Sequence, residues 1–188
     1  MKRAVVALIA LVMVTAVFAG CMGGESKGGG GEQKTEGKVM KGSLETTTGW
    51  IDSSGEGIDR PAKGSISVSI PDQNIIRIKF TVSFSDSDAE HNDDDETPDD
   101  VTASAEGDNA STEPQSGKTP TTFTFEVPGG NITLQEGEYL GQNWEINVDA
   151  MCHGTKTRDW IVIYWYQPDE GIAYTLDVEY DYVTFEEE

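Results

Sequence analysis

A chain of 188 residues with 34 Asp and Glu against 13 Lys and Arg carries a formal charge of −21. Charge of that sign and size repels polyanions, which sets nucleic acid aside as a partner. Only two cysteines are present, Cys21 and Cys152, too few for a disulfide framework, so the fold must rest on a hydrophobic core.

The chain opens with Lys2 and Arg3, continues without charge from Ala4 to Ala19, and closes the stretch with "VFAGC". A basic start, a short apolar run and small residues at its end read as a cleaved secretory signal. The run also reaches the lower limit for spanning a bilayer, which leaves a retained helix as the alternative. Phe18-Ala19-Gly20-Cys21 resembles the lipobox of bacterial and archaeal lipoproteins. That resemblance implies that residues 1–20 are removed and that Cys21 becomes the lipidated first residue, anchoring the protein on the extracytoplasmic face of the cell membrane. Loss of Lys2 and Arg3 takes the charge from −21 to −23. Residues 21–41, "CMGGESKGGGGEQKTEGKVMK", are Gly-rich and polar and read as a flexible tether. A Gly-rich tether after the cysteine is similar to those of archaeal lipoproteins.

Residues 42–188 read as one domain, and about 145 residues can bury a stable core. Apolar and polar residues alternate in five runs. Ile66, Val68 and Ile70 form the first; Ile76, Ile78, Phe80, Val82 and Phe84 form the second. Phe123, Phe125 and Val127 follow, then Trp144, Ile146, Val148 and Ala150, and finally Ile172, Tyr174, Leu176, Val178, Tyr180 and Tyr182. A period of two marks strands with one dry face, as in antiparallel sheets. Turn signals "IPDQN", "VPGGN", "LQEGEYLG" and "QPDEG" separate the runs, and no helical stripe is present. The expectation is an all-β, antiparallel β-sandwich of seven to nine strands. The segments "FSDSD", "TPDDVTASAEGD" and "GQNWEINVDA" are similar in order to the P-domain and pre-peptidase C-terminal modules of secreted proteases. This resemblance implies a jelly roll with calcium at its loop ends and a stabilising or binding role.

Residues 83–100, "SFSDSDAEHNDDDETPDD", place nine carboxylates in one connection. Asp86 and Asp88 continue the parity of the Phe80 column, and Asp99 and Asp100 begin the returning strand. Convergent carboxylates suit a hard cation, so Asp86, Asp88, Asp93, Asp95, Asp99 and Asp100 are the candidate calcium ligands. The other reading is a solvated acidic loop. Cys152 and His153 are adjacent, and neighbours on a strand point to opposite faces, so they read as a buried core thiol and a turn histidine. "WIVIYWY", residues 160–166, is apolar on both faces and reads as a central strand or as an aromatic platform. In the second case Trp165, Tyr164 and Tyr166 would bind a glycan or a protein partner. Asn109 and Asn131 begin N-glycosylation triplets. A non-enzymatic binding or interaction module is the expected function. A carbohydrate-binding module is the first alternative, and a hydrolase using paired carboxylates is the second.

Overall fold

The computed structural model describes residues 37–86, 97–130, 132–158 and 164–185, with the side chains of 86, 155–158 and 164–167 left aside. Eleven strands form in chain order: β1 (Gly37–Ser43), β2 (Thr47–Asp52), β3 (Arg60–Ser69), β4 (Ile75–Asp86), β5 (Asp100–Gly107), β6 (Gln115–Lys118), β7 (Thr121–Val127), β8 (Asn143–Cys152), β9 (Thr155–Arg158), β10 (Tyr164–Gln167) and β11 (Gly171–Phe185). The front sheet runs β1-β11-β4-β7, with β2 pairing β11 beyond the end of β1. The back sheet runs β3-β8-β5-β6, and β9 and β10 make a separate two-stranded ribbon.

The pairing is nested. From β2 onward, first pairs with last (β2 with β11), then β3 with β8, β4 with β7, and β5 with β6. A long hairpin folded over on itself in this way is a jelly roll. Nine antiparallel strands therefore build the sandwich, as the alternation predicts.

Parity decides the core. Ile78, Phe80, Val82 and Phe84 of β4 are buried, as are Phe123, Phe125 and Val127 of β7 and Leu176, Val178 and Tyr180 of β11. The back sheet answers with Ile66, Val68, Val101, Ala103, Ala105, Trp144, Ile146 and Val148. Phe80 and Trp144 join the two sheets, with ring centroids 5.4 Å apart. Small residues on β5 make room for the Trp144 ring, and Gly107 lies directly across from it.

Three local features differ from the expected pattern. Ile75 is buried in place of Ile76, because a bulge opposite Asp181 and Tyr182 shifts the register of β4 by one residue. β1 begins at Gly37, so residues 37–41 of the expected tether belong to the front sheet. The central strand expected from "WIVIYWY" is met only in part: residues 159–163 lie outside the described residues, and Tyr164–Gln167 pairs with β9 rather than with either sheet.

Candidate functional site

The jelly roll has two poles, fixed by β11. At the proximal pole Gly37 pairs with Phe185, where the chain joins the domain. At the distal pole β11 starts at Gly171, across from Asp52, and Ile172 lies across from Asp86. The ends of β8 and β3 meet there too, with Arg60 opposite Cys152, and β5 begins there with Asp100 opposite both Met151 and Lys118.

Asp99, Cys152 and Asp169 converge at this distal pole. Each is fully buried, and one ligand atom from each lies within 4.8 Å of the others. Backbone geometry fixes both carboxylates. Asp99 Oδ1 accepts the His153 N–H at 2.7 Å, while the Asp99 N–H donates to Thr119 Oγ1 at 2.9 Å. Asp169 Oδ1 accepts the Gly171 N–H at 2.8 Å, and its carbonyl accepts Ser53 Oγ at 2.6 Å. Gly171 has φ 145°, which closes the turn so that its N–H faces the carboxylate two residues back.

Two carboxylates and a thiol in one buried cluster could share a proton or hold a metal ion. The donor set bears on which ion. Calcium takes six to eight oxygens, whereas a mixed oxygen and sulfur set suits a softer ion. Asp99 is fully buried, whereas Asp100, the first residue of β5, is exposed. Asp86 reaches the same pole by its backbone, and Asp88, Asp93 and Asp95 lie outside the described residues.

Asp100 belongs instead to a surface network. It meets Lys118 at 2.9 Å and His153 Nε2 at 3.2 Å, and the Lys118 hydrogen bond, followed by that of His153, lowers its pKa. His153 Nδ1 lies 3.3 Å from Asp59, which precedes β3. Burial pulls the imidazole pKa down, but the hydrogen bonds to Asp100 and Asp59 outweigh it, leaving the value above 6.5. A raised folded pKa stabilises the protein most below the unfolded value, and that gain is lost as pH rises through the folded one. The melting temperature of the wild type minus that of His153→Gln should therefore be largest below pH 6.5 and shrink above it. A difference that grows with pH contradicts the bridge.

Beside this network, on the outer face of the back sheet, lies an open groove of 540 Å³ lined by Asp100, Thr102, Ser116, Lys118, Asp149 and Met151. Cys152 is buried at the end of β8. Asp169, within "QPDEG", read in the sequence only as part of a turn; an Asp two residues before a Gly was the available signal for its fixed carboxylate. The aromatic candidates Tyr164, Trp165 and Tyr166 sit on β10, and their side chains lie outside those described. Asn109 uses its amide to clamp two loops, donating to the Tyr139 carbonyl at 2.7 Å and accepting from Gly141 N–H at 3.0 Å. Asn131 lies outside the described residues. Comparison with protein families and with curated proteins finds no match to this chain.

Proposed function

We propose that this protein is a lipid-anchored, extracytoplasmic jelly-roll module that binds a partner at its distal pole rather than catalysing a reaction. One observation carries the reading: the chain joins the domain at one end of β11, and the open groove beside Asp100 and Lys118 lies at the other. β11 has 15 residues, which at about 3.3 Å each separates the poles by roughly 45 Å. A tether from Cys21 thus holds the distal pole away from the membrane, where a partner reaches it. The test is membrane attachment. Cys21→Ser should move the protein out of the membrane fraction or leave it unprocessed, and an unchanged distribution with normal processing would refute the anchor.

Calcium belongs to the same proposal, as an ion at the distal pole. Its support is the arrival of the Asp86 end of β4 beside the start of β11, at the pole where Asp100 begins β5. Extracellular sites bind calcium with dissociation constants of about 0.1 to 1 mM, so a few millimolar free ion should add about 1 to 2 kcal/mol of stability. The wild type should melt higher in calcium than in chelator, and Asp86→Asn should reduce that difference. Identical melts at 10 mM would remove calcium from the account, at the upper end of about ten times the weaker dissociation constant.

A further inference from the structure

The outer face of the front sheet changes character at the proximal pole. Val39 of β1 pairs with Val183 of β11, and both point outward, on the parity opposite to buried Tyr180 and Tyr182. Val183 and Ile76 then line an open groove of 460 Å³ with Pro128, Ile132 and Leu134. Taken in sheet order, these residues make one apolar row across β1, β11 and β4, which Pro128 continues just past the end of β7. Phe185 extends the row toward the pole at 46% exposure, and Val39 is 55% exposed. Gly37 leaves its own space to the Val183 and Phe185 side chains, so the two are continuous over it. The register bulge brings Ile76 outward and is what completes the row.

One step inward the face is charged. Lys41 pairs with Asp181, Arg77 meets Asp181 at 3.3 Å and Glu126 at 2.7 Å, and Lys79 meets Glu179 at 3.3 Å. Successive outward residues on a strand are about 7 Å apart, so the apolar band is a single row deep. That depth matches the roughly 5–10 Å by which peripheral proteins enter the boundary between headgroups and acyl chains.

We propose that this row docks on a lipid surface of neutral headgroups, seating the proximal pole on the membrane. The inference rests on the anchored reading. The chain that precedes β1 leads toward that surface. Gly37 lies in the row itself, and the 15 residues between it and Cys21 span roughly 20 Å as a flexible chain. A bilayer holding either a lipidated Cys21 or a retained Ala4–Ala19 helix is therefore within reach. Glu136 and Glu138 rim the groove, and with a mature charge of −23 they restrict the surface to neutral lipid. The same charge opposes a second copy as the occupant.

The experiment places an environment-sensitive fluorophore on Val39→Cys, or on Glu179→Cys as the inward control, in the full anchored protein on phosphatidylcholine vesicles. Cys152 is buried and does not compete for the label. The label at 39 should shift to the blue and brighten, while the label at 179 should not. Adding Phe185→Asp should abolish the shift at 39 and leave sedimentation with vesicles unchanged. If the protein sediments and the two labels read alike, the docking is wrong and the anchor stands. If the shift grows with protein density on the vesicle, a second copy covers the row and the lipid assignment falls. Protein that does not associate with vesicles overturns both readings.

Discussion

Phe80→Ala should destabilise the domain by about 3 to 5 kcal/mol, and Lys79→Ala by less than about 1 kcal/mol. The two residues are adjacent on β4 and differ only in the face they occupy. Phe80 is fully buried between the sheets, against Trp144 at 5.4 Å, so truncation leaves a cavity that neither sheet can close without moving the other. Lys79 reaches Glu179 at 3.3 Å on a face open to water, where an ion pair contributes little. Denaturant unfolding of both variants measures the difference directly. Equal losses would mean that the two faces of β4 are not inside and outside.

Gly107→Ala should cost about 1 to 3 kcal/mol, although the substitution adds one methyl group and glycine is a poor strand former. A Cβ at Gly107 would sit 2.6 to 2.8 Å from three ring carbons of Trp144. The indole cannot retreat easily, because Trp144 Nε1 donates to the Gly141 carbonyl at 2.8 Å and the ring packs on Phe80. A second change, Trp144→Leu, should relieve the clash, so the double variant should lose less than the sum of the single losses. Strict additivity between these cross-strand partners would show that the ring does not lie over Gly107.

The alternation of β4, β7, β8 and β11 was legible because each strand keeps one face in the core and one in water, which writes itself into the residue order. The antiparallel sandwich followed in outline from the same runs and their turns, whereas the jelly roll was what the resemblance implied. Parity misplaced Ile76, since a bulge inserts one residue and local alternation carries no mark of where that happens. β1 was hidden because "GKVMKGS" shares the composition of the tether before it; its place is set by pairing with residues at the far end of the chain. "WIVIYWY" is apolar enough for a central strand, yet Tyr164–Gln167 pairs outside the sandwich, and apolarity alone does not name a strand's neighbours.

The distal pole was half visible. The parity of β4 directs attention to the end of the sandwich where Asp99 lies, and the burial of Cys152 follows from its position on β8. That Asp169 would join them depends on the β11 start meeting the β8 end, a contact between distant parts of the chain that composition does not encode. Asp99 and Asp100 look equivalent as a pair in the sequence. In the fold they part, Asp99 joining the buried cluster and Asp100 meeting Lys118 and His153 at the surface.

The anchored reading meets its most direct test in the mass of the mature protein. Protein purified from membranes should begin at Cys21, yield no peptide from residues 1–20, and carry added lipid mass on that first residue. One acyl chain holds a protein only marginally, so the added mass should correspond to two chains or to a diether lipid. Recovery of the wild type wholly in the soluble fraction, with Cys21 unmodified, would contradict the account.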